Sequence, residues 1–287
     1  MDVPTVMPAL IPAPATSLVA FDLETTGLFP PTDRLVEIGA VRFDASGRVI
    51  DRFASLVQPH RPMARAALAV HGITDADLAD APDASIVLPA FLSWLGNPSE
   101  TALIAHNARF DAGFLGHEMV RLGLVPLPSW TVFDTLDLAR RRLPSSPNHR
   151  LDTLAARLGL PGGDAHRALG DSLRVMGLWL ALASSGADAS PPPMSFALFD
   201  GGGTPDPAPR GWEALADALA RGLRVRVRYT GGTHGPAPRL ITPVRFHHRG
   251  GLSYVIAFCH QDRYEKAFRL DRITGLEVIE GPWPSSS

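Results

Sequence analysis

The 287-residue sequence predicts an α/β protein: a mixed sheet with flanking helices, followed by a small, mostly β module. Three observations carry this. Three strand-like runs come first, at about Leu18–Leu23, Leu35–Phe43 and Val49–Val57. They alternate, are rich in β-branched residues and are separated by Gly or Asp breaks. Helical stretches and a short strand then alternate, the order that layers helices on a sheet. Lastly, residues 184–211, dominated by Pro, Gly, Ser and Asp, separate this part from a second set of strand-like runs.

Within the first part, apolar spacing predicts a helix over Ala84–Leu95, then a short strand in "TALIAH", residues 101–106. Helices are expected at about Ala108–Leu122, Thr135–Arg142, Leu151–Leu158 and Ala165–Ala183. After the linker, Trp212–Arg221 reads as a helix. Strands are expected at Leu223–Tyr229, Arg239–Phe246, Leu252–Cys259 and Tyr264–Leu270, with Gly-rich turns between them. The expected organisation is a disordered tail at 1–16, a domain at 17–184, a linker at 185–210 and a second domain at 211–282. Both domains fall in the usual size range.

Composition narrows the function classes. An apolar content of 45% is ordinary for a globular chain, and a net charge of −2 does not mark the whole chain as a polyanion binder. The average hides an asymmetry. Residues 1–209 carry 15 arginines against 22 acids, while residues 210–287 carry 12 basic residues against 7 acids. A basic C-terminal part suits an anionic partner; drift in surface composition explains the numbers equally well. Cys259 is the only cysteine, which excludes an intramolecular disulfide and fits the cytoplasm. The first residues are broken by prolines and lack the basic segment of a signal peptide. The longest apolar run, Val175–Ala183, is far too short to span a bilayer, so no membrane partner is expected.

The chemistry-bearing residues begin in "AFDLETTGL", residues 20–28. Side chains alternate along a strand, so Asp22 and Glu24 share a face while Leu23 points into the core. Two neighbouring carboxylates repel, and burial raises that cost. Divalent cations relieve both, since Mg²⁺ favours carboxylate oxygens. The following "TTG" turns the chain and offers backbone N–H groups to a phosphate or sugar. A half-exposed strand end with solvated acids would explain an isolated pair equally well. Further along, "AHNARFDAGFL", residues 105–115, places Asp111 just inside a helix after a short strand. "DAHRALGDS", residues 164–172, adds His166 and Asp171. Five residues on one helix would leave these two about 140° apart, so His166 fits the loop or frayed turn before the helix.

FDLETTGL, HNARFD and HRALGD, in that order and spacing, resemble the three motifs of the DEDDh family of 3′→5′ exonucleases, nearest to the proofreading-subunit type of bacterial DNA polymerase III. "HGITDADL", residues 71–78, matches a further segment of that group, and the resemblance covers about residues 17–183. It implies a ribonuclease H-like fold. It also implies two divalent cations, Mg²⁺ or Mn²⁺, on Asp22, Glu24, Asp111 and Asp171, with His166 as general base. Histidine five residues before the last acid is the DEDDh form; the tyrosine variant would place Tyr where this chain has Arg167. Thr25, Thr26, Gly27 and Leu28 would hold the terminal nucleotide, with His71, Asn107 and Phe110 bordering the substrate; each would equally serve to hold its own loop. Asp134 fits the family pattern and fits an N-cap for the helix at Thr135 equally well. Arg140–Arg142 are either phosphate contacts or solvated residues at a helix C-terminus. The expected partner is single-stranded DNA or a frayed DNA 3′ end, released as nucleoside 5′-monophosphates. RNA stays open, because these motifs do not read the 2′-hydroxyl. A sensing protein and a polymerase accessory subunit are the other readings.

The stretches "GLRVRVRYTGG", "RLITPVRFHHRGGLSYVIAFCH" and "EKAFRLDRITGLEV" resemble a WYL domain, a small Sm-like β barrel of bacterial regulators. Ser253, Tyr254 and Val255 stand where the naming triplet would be, which puts ligand binding in question. The resemblance implies a basic face for nucleic acid or a nucleotide-like regulator, with Arg245, Tyr254, Arg263, Arg269 and Arg272 as candidates; solvated arginines on an ordinary barrel are the alternative. Within the linker, "MSFALF", residues 194–199, resembles a sliding-clamp-binding peptide with Ser195 in place of Gln. A clamp or polymerase is therefore one expected partner of Phe196, Leu198 and Phe199, and packing on either domain is the other outcome.

Overall fold

The computed structural model describes residues 17–124, 129–160, 166–184, 194–198, 206–231, 235 and 237–279. The tail at 1–16, most of the linker and Phe199 lie outside the described residues. The chain divides into two compact units, Met1–Gly203 and Thr204–Ser287.

The first unit is built on β1 (Ser17–Thr25), β2 (Leu35–Phe43) and β3 (Val49–Leu56), an antiparallel meander. β1 pairs in parallel with β4 (Thr101–Ala105), and β4 in parallel with β5 (Thr131–Asp134). β6 (Ser195–Ala197) closes the far edge antiparallel, giving the order β3-β2-β1-β4-β5-β6. The helices are α1 (Arg65–His71), α2 (Ala84–Leu95), α3 (Ala108–Arg121), α4 (Thr135–Arg142), α5 (Leu151–Leu158) and α6 (Ala168–Ser184).

The central strands are buried on both faces, so they read as nearly continuous apolar runs. Val19, Phe21 and Leu23 of β1 pack with α2 and α3 through Leu88, Phe91, Phe114 and Leu115. Leu18 and Ala20 pack on the other face with Val175, Leu178 and Trp179 of α6. Asp22 and Glu24 continue this second face, so the strand's alternation carries both acids toward α6.

α1, β5 and β6 are not expected from the sequence. α1 is seven residues long and β5 four, too short for periodicity to show. Residues 194–198 lie within the segment read as a linker: an apolar island follows the prolines and pairs with the open edge of β5, and Leu198 is buried.

In the second unit α7 (Glu213–Ala220) precedes β7 (Arg224–Tyr229), β8 (Arg239–Arg249), β9 (Leu252–Cys259), β10 (Tyr264–Arg269) and β11 (Ile273–Ile279). The sheet is antiparallel throughout, in the order β10-β9-β8-β7-β11, and among the described residues its edge strands do not pair with each other. Leu215 and Ala218 of α7 cover a core of Val225, Val227, Ile241, Val255, Ala257 and Phe268. β11 is a further element the sequence does not announce, because Gly275 interrupts its alternation at a register shift.

Candidate active site

Asp22, Glu24 and Asp171 each bring a carboxylate oxygen within 4.8 Å of the others. Asp22 and Glu24 come from the end of β1 and Asp171 from the first turn of α6. The cluster is electrostatically costly. Burial, then the neighbouring charges of Asp111, Glu24, Asp171 and Glu37, push the Asp22 carboxyl well above its ordinary range. Burial and the charges of Asp171, Glu37 and Asp111 push Glu24 from 4.5 to about 8, against a lowering by Arg167. Asp171 is raised by burial and partly relieved by Arg174, which pairs with it.

Asp111, only 3% exposed in the first turn of α3, is near enough for its charge to raise Asp22 and Glu24. Burial raises its carboxyl, while backbone N–H groups of Asp111 and Leu23 work in the other direction. Its helix starts at Asn107, a left-handed residue (φ 63°) whose side chain makes no cap. Asp134 supplies the missing partner: its Oδ1 accepts from the N–H of Asn107 at 3.0 Å and of Leu136 at 2.8 Å. Asp134 therefore caps α4 and also fixes the start of α3.

The position of α6 rests on residues that sequence reading passed over. Glu37 on β2, 6% exposed, accepts from Arg167 in a bidentate pair and from the Ala168 N–H at 2.9 Å. The only sequence sign is an acid within an apolar strand, "LVEIGAV". His166 precedes α6 at φ 59°, off the helix as its spacing requires. Its Nε2 is 3.6 Å from the carboxylate of Asp152, which lies 3.9 Å from the Arg174 guanidinium. The structure thus brings Asp22, Glu24, Asp171 and Asp111 together and leaves His166 facing Asp152 at their border.

Beside the acids opens a cavity of about 530 Å³, lined by Glu24, Thr25, Gly27, Leu28, Ala67, Val70, His71 and Phe110 among others. Leu28 is 78% exposed at its rim. α1 forms one wall. The Thr25–Leu28 turn is braced from within: Thr25 donates to the Gly27 carbonyl at 2.6 Å, and Thr26 exchanges bonds with the Arg34 backbone. A Cβ on Gly27 would stand 2.3 Å from the Asp33 carboxylate, so a larger residue there would require that side chain to move. His71 is buried with both ring nitrogens on backbone: Nδ1 accepts from the Ile73 N–H, and Nε2 donates to the Thr25 carbonyl. Burial lowers its pKa, which keeps the ring neutral. Thr26 is fully buried, and Asn107 is engaged through its backbone.

Three of the five candidates in the second unit share one strand face. Tyr254 sits opposite His247 of β8 and Arg269 of β10, and Arg245 lies two residues before His247 on the same side. Arg269 is paired with Asp271 at 2.6 Å. Arg263 lies in the β9–β10 turn at φ 65°, and Arg272 ends the 3-10 turn Leu270–Arg272, where its carbonyl accepts from Thr230. Both lie outside the strands, so strand alternation assigns a shared face only to Arg245, Tyr254 and Arg269.

A donor set of clustered carboxylates fits hard divalent cations, whose charge would offset the burial that raises each of these acids and the repulsion added at Asp22 and Glu24. Among the described residues no helix is long and apolar enough to cross a membrane.

Comparison with known proteins agrees with this geometry. Residues 19–178 match the model of the Exonuclease family (RNase_T), and residues 211–278 match the WYL domain model. The DNA polymerase III PolC-type of Bacillus subtilis (strain 168) is 38% identical over 170 residues, 59% of this chain and 12% of that protein. The same polymerase of Oceanobacillus iheyensis is 40% identical over 156 residues, 54% of this chain and 11% of that protein. The chain thus spans about a tenth of the length of these curated relatives. Among solved structures, exonuclease I from Methylocaldum szegediense superposes with a TM-score of 0.53 at 20% identity, covering 85% of this chain and 54% of that one. The nuclease domain of 3′hExo, a DEDDh family member bound to rAMP, gives 0.51 at 19% identity, covering 61% and 94%. These two likenesses are of fold. With a family match across more than half of its length, laid over the carboxylate cluster, the chain belongs to the Exonuclease family.

Proposed function

We propose that the first unit is a 3′→5′ exonuclease that shortens single-stranded or frayed DNA from its 3′ end, in the cytoplasm, in replication or repair. The observation that carries this is the meeting of Asp22, Glu24 and Asp171, backed by Asp111, at the edge of the Leu28 cavity. DNA is preferred because relatives that align over this unit are named DNA polymerases.

The four acids would hold two Mg²⁺ or Mn²⁺ ions, which acidify a water and stabilise the departing 3′ oxygen when bound. The remaining work belongs to the chain. The cavity takes the terminal nucleotide, with Leu28 and Phe110 offering apolar surface to the base and the Thr25–Gly27 turn facing the sugar. His71 keeps that turn in place by its bond to the Thr25 carbonyl. His166, released from Asp152, accepts the proton of the attacking water. In the second unit, Arg245 and Tyr254, with His247 and Arg249 on the same strand face, form the surface for nucleic acid. A sliding clamp or polymerase would have to compete with β5 for Phe196 and Leu198.

The test compares 5′-labelled single-stranded DNA and RNA of one sequence with Mg²⁺, Mn²⁺ or EDTA. The expected result is a metal-dependent ladder shortening from the 3′ end, stronger on DNA and absent in Asp22→Ala. His166→Ala should lose about 10²–10⁴-fold in rate, the range for general-base catalysis. No ladder on either polymer would overturn the assignment.

A further inference from the structure

The family match ends at residue 178, but the catalytic sheet does not. Its edge strand β6 comes from the segment after α6. The Asp134 N–H donates to the Met194 carbonyl at 3.1 Å, and the Leu198 N–H donates to the Trp130 carbonyl at 2.8 Å. The Met194 N–H reaches the Asp137 carboxylate at 2.9 Å. Leu198 is 3% exposed. The ring of Phe196 lies under the Arg109 guanidinium, 4.6 Å from its centroid.

Both lines of contact end at the start of α3. Arg109 is in its first turn, two residues before Asp111. Asp134, whose N–H holds Met194, uses its carboxylate to hold the Asn107 N–H. That helix start has no side-chain cap of its own, so its position depends on outside contacts.

We propose that segment 194–198 is a strap that positions Asp111, with Phe196 as its principal positioning residue. The catalytic unit is then complete only when the chain beyond the family match has docked on β5. The proposal rests on the metal-site reading above. Its physical basis is that Asp111 sits in the first turn of a helix whose start has no side-chain cap, so it moves with that start, and a metal ligand depends on the contacts that orient it. Loosening the first turn of α3 shifts Asp111 without touching the fold of the sheet.

The test measures Mn²⁺ binding to the full chain from the electron paramagnetic resonance signal of the free ion, beside oligonucleotide cleavage and thermal melting. Phe196→Ala is expected to weaken Mn²⁺ binding about two- to fivefold, the factor for one exposed cation–π contact. It should lower kcat with little change in KM. Phe196→Tyr, which keeps a ring under Arg109, is expected to restore both. Arg109→Gln, at an exposed position that does not endanger folding, should weaken Mn²⁺ binding to the same extent. If both variants bind Mn²⁺ as the wild type does, even with a lower melting temperature, Phe196 only packs and the proposal is wrong. A wild-type chain that binds no Mn²⁺ would overturn the metal site itself, and the strap with it.

Discussion

The Cβ that Gly39 lacks would stand 2.1 Å from the carbonyl carbon of Ala168, so β2 and the first turn of α6 meet backbone to backbone. Two residues away on β2, Glu37 accepts the Ala168 N–H. Together these contacts set how far the acid of α6 stands from the acids of β1. Gly39→Ala should therefore push α6 off the sheet. Overpacking of this kind costs about 1–3 kcal/mol, and the obstacle here is backbone rather than a side chain that can swing aside. The expected outcome is a lower urea midpoint together with weakened Mn²⁺ binding. A stable variant with unchanged Mn²⁺ binding would show that the Gly39–Ala168 contact does not set the position of Asp171.

The acids that make the site also strain the metal-free protein. Asp22 faces burial and four like charges, so its ionised form is disfavoured in the fold. Asp22→Asn removes that charge while keeping the shape. Without metal, at neutral pH, the variant should be more stable than wild type, because it removes the charge that burial and the neighbouring acids disfavour. Added Mn²⁺ should raise the melting temperature of wild type and leave the variant unmoved. A variant that melts below the metal-free wild type would mean the repulsion had been overstated.

The parts legible in the sequence are those with long periods. The meander, α2, α3 and α6 follow from alternation and 3.6-residue spacing, and the acids of β1 from their place on one strand face. What was hidden depends on contacts across the chain. α1 supplies a wall of the cavity, but seven residues of mixed alanines do not announce a helix. Glu37 is one acid in an apolar strand, and nothing local says that it pairs with Arg167, 130 residues away. Arg174 and Asp152, beside Asp171 and His166, read as ordinary surface charges on helices. Likewise, the apolar island at 194–198 shows that something will cover it, and only the open edge of β5 decides what. Arg263 and Arg272 join Tyr254 only through the WYL resemblance, and both lie outside the strands, where alternation does not assign a face.

Glu24 gives the site a pH dependence with a definite sign. Its carboxyl is raised from 4.5 to about 8, so the folded protein holds a proton there that the unfolded chain releases. The native state then binds more protons than the unfolded state, and the Glu24 contribution to metal-free stability falls as pH rises from about 4.5 to about 8. Metal affinity moves the opposite way, because a cation must displace that proton at low pH. Mn²⁺ binding should strengthen up to about tenfold per pH unit below about pH 8 and level off above it. The buried rings of His71 and His106 are shifted downward, so they add stability as pH rises toward their unfolded value and partly mask the first effect. The measurement that isolates Glu24 is the difference in melting temperature between wild type and Glu24→Gln, without metal, across pH 5 to pH 8.5. That difference should shift progressively in favour of Glu24→Gln with rising pH, while the pH slope of the variant's residual Mn²⁺ binding decreases. Parallel melting curves for the two proteins would mean that Glu24 titrates as an ordinary carboxylate and that the cluster is better solvated than its burial implies.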